Sequence, residues 1–322
     1  MNRKIILLTF VLIFKCFLAQ QTPSPDEKIP YVCTFSKDSD KEWGDDDFVQ
    51  IFFFVIPETY KKPIYIRVFD PEIGGSIDEN HGAFNSKCRL SIYGGPKTHS
   101  HNDAKNQDPV GDFKSGNLLA TKTFSNEKNY DQQWYTLGPF NPVDGEFQPE
   151  FKGRVFKLVV EGLEGDDGNL YRIFLSSEAN ENKPVEGGNT FAYEYAFRLA
   201  DTKGAVSHLY PFVGMGVTAV KIKIFDFDND GIIRVVSVAK KGEISKPVNN
   251  AEWMESTHKI SKEEVSTSLD VQFIKKKDLK NNNIVVVISN QYGELMPFFT
   301  TPIGGVPKYI YKISHKADED ED

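Results

Sequence analysis

The chain has 322 residues, of which 46 are acidic and 38 are basic, so its formal net charge is −8 at neutral pH. A surface with this excess of negative charge repels nucleic-acid phosphates and anionic lipids, which argues against both as partners, and it attracts cations. The length suits about two domains. Many aromatic and β-branched residues, with no long helical periodicity, indicate β structure.

The first twenty residues predict a secretory signal peptide. Arg3 and Lys4 precede an apolar run at 5–14, and the small residue Ala19 stands before a polar segment. This layout is typical of a cleaved signal, and the run is too short for a membrane span. We therefore expect removal of residues 1–20, a secreted or cell-surface protein, and no membrane insertion after cleavage. Cleavage leaves 35 basic and 46 acidic residues, a formal charge of −11.

The mature chain keeps two cysteines, Cys33 and Cys88. In an oxidising compartment they could form one disulfide, and two buried free thiols are the alternative. Their wide separation lacks the close ligand spacing of a zinc site.

Two tandem β-sandwich modules, jelly-roll or immunoglobulin-like, are the simplest predicted architecture. An N-terminal segment at 21–40 leads into a first module at 41–177. Residues 178–189, rich in Gly, Pro, Asn and charged residues, predict a linker or a surface crossover. A second module at 190–315 and a solvated acidic tail at 316–322 follow. One larger sandwich with an elaborated edge is the alternative.

Apolar alternation and turn residues locate the expected strands. In the first module they are 49–56, 64–69, 89–94, 154–162 and 170–177; in the second they are 191–199, 220–225, 232–239, 268–274, 283–290 and 307–314. A serine followed by two acids predicts one short helix at 261–265.

Acidic loops next to strands of the first module predict a calcium site. They are "FDPEIGGSIDEN", with Asp70, Glu72, Asp78 and Glu79; "EWGDDDF", with Asp45, Asp46 and Asp47; and "EGDDGN", with Asp166, Asp167 and Asn169. Loops at one end of a sandwich can bring carboxylates together around a hard cation. We expect Asp70 and Asp167 to be ligands, with solvated turns as the alternative.

The segments "VQIFFFVIPE", "IYIRVFDPE", "CRLSIYGG" and "GNLYRIFLSS" occur in this order within 47–177. This stretch resembles the pre-peptidase C-terminal type of β-sandwich module, which is appended to secreted bacterial enzymes and surface proteins. The resemblance implies an accessory, non-catalytic role, and it does not imply peptidase activity.

The stretch "FDFDNDG" carries Asp226, Asp228 and Asp230 at alternate positions, followed by glycine. Alternate oxygen ligands before a glycine turn are typical of calcium loops. An EF-hand is excluded, because its twelfth position, here Ser237, requires glutamate and its flanks are helices. The turn residues predict a β-hairpin, and the three aspartates are candidate calcium ligands in addition.

Catalytic motifs are weak. No "GxSxG" nucleophile elbow is present, and the nearest serine–histidine pair is Ser207–His208. His99 and His101 could hold a metal from one strand face, although no third ligand is evident. We therefore assign no catalytic residue and favour a protein that is not an enzyme.

Three tryptophans in loop-like sequence, Trp43, Trp134 and Trp253, could stack on the faces of sugar rings. The alternative is that each ring caps the end of a core. The sequence thus predicts a secreted, non-catalytic binding or structural protein stabilised by calcium, with an extracellular glycan or protein as partner. A glycan-binding protein that uses these tryptophans is the first alternative. A secreted hydrolase without a readable site is the second.

Overall fold

The structure, a computed structural model, describes residues 20–106, 113–227, 231–245 and 251–304. Within these ranges the chain forms strands and single 3₁₀ turns and no α-helix, so the prediction of an all-β fold is confirmed. No helix in the described ranges is long and apolar enough to cross a membrane. Most of the predicted signal peptide, Asp228, Asp230, the strand expected at 307–314 and the acidic tail lie outside the described residues.

Twenty strands are described. They are β1 (Gln21–Thr22), β2 (Tyr31–Phe35), β3 (Val49–Pro57), β4 (Ile64–Phe69), β5 (Lys87–Gly94), β6 (Asn117–Phe124), β7 (Trp134–Phe140), β8 (Glu146–Gln148), β9 (Gly153–Glu164), β10 (Gly168–Ser176), β11 (Asn189–Ala192), β12 (Glu194–Arg198), β13 (Val206–Leu209), β14 (Ala219–Phe225), β15 (Gly231–Val236), β16 (Lys241–Ser245), β17 (Trp253–Lys259), β18 (Asp270–Lys275), β19 (Asn283–Asn290) and β20 (Phe298–Phe299). The 3₁₀ turns are Pro25–Glu27, Lys41–Trp43, Pro142–Asp144, Pro149–Phe151 and Lys262–Glu264. The last of these stands where the sequence predicted a short helix.

The strands form three antiparallel sheets. A nine-stranded sheet has the order β17, β14, β19, β12, β2, β10, β4, β7, with β1 also paired to β10. A seven-stranded sheet has the order β20, β11, β3, β9, β5, β6, with β8 paired to β9. A four-stranded sheet has the order β13, β18, β15, β16.

One apolar core joins all three sheets, because alternate side chains of each strand point inward. In β12 of the nine-stranded sheet, the ring of Tyr195 lies 6.3 Å from that of Phe52 in the seven-stranded sheet. Two residues further along the same strand, the ring of Phe197 lies 5.6 Å from that of Phe273 in the four-stranded sheet. The inner face of the nine-stranded sheet is therefore covered by both smaller sheets.

The nine-stranded sheet draws strands from both predicted modules. The pairing of β2 with β12 joins them, with Val32 opposite Phe197 and Tyr31 opposite Arg198. Backbone hydrogen bonds thus join strands from either side of the linker predicted at 178–189. That the two halves of the chain are separate modules stays a prediction. Residues 178–189 run along the body, where Val185 is buried and Pro184 bridges to Ser176.

Two strand predictions in the second half are wrong. The alternation over 191–199 predicted one strand, but the chain changes sheets at Tyr193, so β11 pairs with β3 and β12 pairs with β2 and β19. The predicted hairpin around Asp226 does not form, since β14 pairs with β17 and β19 while β15 pairs with β16 and β18. Strands β14 and β15 both bury apolar side chains in the main core, but β14 belongs to the nine-stranded sheet and β15 to the four-stranded sheet. They therefore lie in different layers and do not pair with each other.

The two cysteines are free thiols in the structure, and both are buried. Cys88 belongs to the main core, whereas Cys33 belongs to a smaller cluster on the outer face of the nine-stranded sheet. Burial raises the pKa of Cys88 to about 12 and the pKa of Cys33 well above its usual value. Both thiols are therefore protonated at neutral pH and are poor nucleophiles.

Candidate metal centre

Three carboxylates meet where two loops leave the edge of the nine-stranded sheet. Asp70 directly follows β4 and Asp131 shortly precedes β7; these strands pair, with Phe69 opposite Trp134. Together with Glu72 they each offer one oxygen, and these oxygens lie within 4.8 Å of one another. The sequence pointed to Asp70 and its loop. Asp131 was missed, because only the pairing of β4 with β7 brings it there.

Backbone amides hold one oxygen of each buried carboxylate in place. Asp70 Oδ1 accepts a hydrogen bond from the Gln132 amide at 2.8 Å, and Glu72 Oε2 accepts one from the Glu127 amide at 2.9 Å. Asp70 itself has a positive φ of 57°, which turns the chain out of β4. The two loops are thus fastened together by the carboxylates that form the cluster.

The second oxygen of each of these carboxylates has no partner. Asp70 and Glu72 are both fully buried, and Asp70 Oδ2 and Glu72 Oε1 have no hydrogen-bond partner in the described part of the chain. A buried, charged oxygen without a partner is costly, so native proteins rarely leave one unsatisfied. A cation between the carboxylates would satisfy both atoms.

The electrostatics of the cluster also favour a cation. Burial raises the pKa of Asp70 to about 7; the Gln132 amide opposes this shift, and the charges of Glu72 and Asp131 add to it. Burial likewise raises the pKa of Glu72, against the effect of the Glu127 amide. Both shifts mean that the ionised carboxylates are destabilised until an opposite charge is supplied.

The dimensions suit a calcium ion. Calcium bonds oxygen at about 2.3–2.6 Å, so one ion can contact ligand oxygens that are up to about 5 Å apart.

The loop that carries Glu72 is closely packed, since a Cβ at Gly74 would lie 2.9 Å from Glu72 Oε2 and 3.0 Å from Asn126 Oδ1. Asp78 supports the loop by accepting hydrogen bonds from the amides of Gly74 and Leu170, both at 2.7 Å.

Asp167, the other ligand expected in this module, lies outside the cluster. Its side chain accepts hydrogen bonds from the backbone N–H groups of His81 and Asn85, both at 3.1 Å, and from the Ser86 hydroxyl at 2.7 Å. Both of its oxygens are therefore engaged by protein donors, and the residue holds the loop before β5 against the turn before β10.

A second acidic group, Asp45 to Asp47, is also engaged by protein donors. Asp45 accepts from the amides of Phe35, Asp47 and Phe48; Asp47 accepts from the amide of Val49; and Asp46 accepts from the indole of Trp253. Although the three carboxylates lie close enough to share an ion, these bonds already explain their placement.

The Asp226 loop is only partly described. Asp226 is buried, has a φ of 62°, and its Oδ1 accepts a hydrogen bond from the Ala251 amide at 2.7 Å. Asp228 and Asp230 lie outside the described residues. Calcium binding by this loop stays a prediction.

The three tryptophans have different surroundings. The Trp43 ring stacks on His81 with centroids 3.3 Å apart, and the Trp134 ring packs against Phe69 under the Arg67 guanidinium. Trp253 is 42% exposed and lies on β17, whereas Trp134 lies on β7 at the opposite edge of the same sheet. Glycan stacking stays a prediction, for which Trp253 is the most exposed of the three rings.

The histidines singled out in the sequence have other roles. His208 Nδ1 lies 2.8 Å from Asp270 Oδ1, but Ser207 is its neighbour on β13 and therefore points to the opposite face. His99 Nε2 is hydrogen-bonded to the Tyr193 hydroxyl at 2.9 Å, and His101 Nδ1 accepts from the Asp103 amide. Ser207 and His208 are therefore not arranged as a catalytic pair. The contacts of His99 and His101 are hydrogen bonds to other residues, and they do not form the metal-binding pair that the spacing suggested.

Comparison with known proteins adds no relative. No protein-family model matches the chain, and no curated protein matches it. The resemblance of 47–177 to the pre-peptidase C-terminal type of module accordingly stays a prediction.

Proposed function

We propose that this is a secreted, non-catalytic binding or structural protein in which a calcium ion joins the loops that carry Asp70, Glu72 and Asp131. The observation that carries the metal assignment is the pair of fully buried, unpartnered oxygens, Asp70 Oδ2 and Glu72 Oε1, beside a third carboxylate. An all-oxygen ligand set suits a hard cation.

The ion would act as a cross-link. It would offset two of the three negative charges and tie the loop after β4 to the loop before β7, which are distant in sequence. Because the ligands converge only in the folded chain, binding of calcium must stabilise the folded state. Such an ion contributes stability and loop order, and it supplies no reaction.

The test is thermal unfolding with calcium and with a chelator. At a calcium concentration about 100 times Kd, the wild type is expected to gain about 2.7 kcal/mol, a rise of several degrees in Tm. The double variant Asp70→Asn, Glu72→Gln should show no calcium shift. In chelator it should be at least as stable as the wild type, because it lacks the buried negative charges.

Two further variants identify the source of the shift. Asp144→Asn, at an exposed acid of a 3₁₀ turn, should keep the full calcium shift. A variant with Asp228→Ala and Asp230→Ala should also keep it if the Asp70 cluster is the site. A wild type without a calcium shift, or a full shift in the Asp70→Asn, Glu72→Gln variant, would refute the proposed metal centre.

A further inference from the structure

A cleft lies on the outer face of the seven-stranded sheet. It consists of two adjoining cavities of about 520 and 660 Å³ that share Lys105 and Glu150 in their walls. These volumes are typical of sites for small organic molecules, which occupy about 300–1,000 Å³. The larger cavity is bounded by residues of β3, β11 and β20 and by the loops around 214 and 294.

The walls of the larger cavity are aromatic. Phe151, Tyr193, Phe212 and Phe299 line it, and the Phe212 and Phe299 rings lie 6.3 Å apart in an edge-to-face contact. The edge-to-face arrangement is a favoured packing of aromatic rings, and the four side chains together offer an apolar surface to a ligand.

A single ammonium group stands where the two cavities join. Lys105 Nζ lies 4.8 Å above the centroid of the Tyr193 ring. Among the described residues it has no hydrogen-bond acceptor and no carboxylate within ion-pair distance. An ammonium has three N–H donors, so Lys105 has donors at the cleft that no described residue uses.

A buried histidine holds the Tyr193 ring that lies beneath Lys105. Burial lowers the pKa of His99 to about 3, so its ring is neutral at physiological pH while Nε2 shares a hydrogen bond with the Tyr193 hydroxyl. The Tyr193 ring is thereby fixed beneath the ammonium. Burial also lowers the pKa of Lys105, whereas Glu150 and Glu294 act to raise it.

The apolar surface continues outward from the cleft. Met215 is 89% exposed and Tyr292 is 80% exposed, which makes them the most exposed large apolar side chains of the described part. Their loops are joined, since Gln291 donates to the Gly216 carbonyl at 2.9 Å and accepts from the Thr218 amide at 3.1 Å. Met and Tyr side chains are enriched at binding surfaces relative to the rest of a protein surface.

We propose that this cleft binds a small organic monoanion, a carboxylate carried on an apolar body. The carboxylate accepts hydrogen bonds from Lys105 Nζ, and the apolar body packs against Phe151, Phe212 and Phe299. Lys105 is the one lysine or arginine among the described residues of the cleft walls, and Glu150 and Glu294 repel any negative charge that it does not compensate. This site is separate from the calcium centre, and its test does not depend on that proposal.

The test compares two probes of one shape and opposite charge, 4-phenylbutyrate and 4-phenylbutylamine, by titration calorimetry on the full chain. The acid is expected to bind at least about tenfold more tightly than the amine, since a charge-assisted hydrogen bond distinguishes them. Lys105→Met keeps the side-chain volume and should weaken binding of the acid about tenfold or more. Lys105→Arg should retain most of the affinity, and the exposed control Lys128→Met should retain all of it.

A second variant tests the apolar wall independently. Phe212→Ala should weaken the acid several-fold while the preference for acid over amine persists. Tighter binding of the amine, equal binding of the acid to wild type and Lys105→Met, or no binding of either probe would overturn the assignment. Unchanged affinity in Phe212→Ala would overturn the placement of the apolar body.

Discussion

Replacing Glu27 with glutamine is expected to flatten the dependence of stability on pH between about pH 5 and pH 8. Glu27 is fully buried; its Oε2 accepts a hydrogen bond from the Ser24 amide at 2.7 Å, and its Oε1 has no partner in the described part of the chain. Burial raises the pKa of Glu27 from 4.5 to about 8, although the Ser24 amide opposes the shift. The folded state therefore keeps this proton at a pH where the unfolded state has lost it.

The sign of the effect follows from this difference. A carboxyl whose pKa is higher in the folded state lowers stability as pH rises from the unfolded pKa toward the folded one. Each pKa unit corresponds to about 1.4 kcal/mol, so the full loss is roughly 4 to 5 kcal/mol by about pH 8. The glutamine variant carries no titrating group at this position and should escape most of that loss.

Urea unfolding at several pH values measures the effect directly. Asp144→Asn, at an exposed acid that does not contribute to the pKa shift of Glu27, serves as the control and should follow the wild-type profile. If Glu27→Gln loses stability with rising pH as steeply as the wild type does, the buried carboxyl is not the cause.

Asp167→Ala is expected to cost about 3 to 5 kcal/mol of unfolding free energy. The carboxylate is fully buried and accepts hydrogen bonds from the amides of His81 and Asn85 and from the Ser86 hydroxyl. Alanine would leave these donors without an acceptor. Asp167→Asn keeps one acceptor oxygen and the side-chain shape, and it should cost clearly less.

Urea unfolding compares the two variants, and a cost below about 1 kcal/mol for alanine would contradict the structural role. The same samples test the original expectation that Asp167 binds calcium. In Asp167→Asn the calcium shift in Tm should persist, because the residue lies outside the Asp70 cluster. A lost calcium shift would return Asp167 to the ligand set.

Sequence alone located most of the long strands and one loop of the proposed metal centre. The strands β3, β4, β10 and β19 begin and end within two residues of their predicted bounds, because alternation of apolar side chains records burial on one face. Asp70 and Glu72 stood out because a strand ends there and acids follow with Pro and Gly. The edge strand β6 was missed, since most of its side chains are exposed or half-buried and show no alternation.

Only the tertiary structure decided which strands are neighbours. The local pattern shows which face of β14 and which face of β15 is buried, and it does not show that the two strands belong to different sheets around one core. The turn that connects them therefore looked like the turn of a hairpin. The same limit applies to Asp131, which reaches Asp70 through the pairing of β4 with β7, and to Lys105, which lies beside Tyr193 from a distant loop. Alternation reports burial, whereas pairing depends on contacts between residues far apart in the chain, and no short stretch of sequence records these.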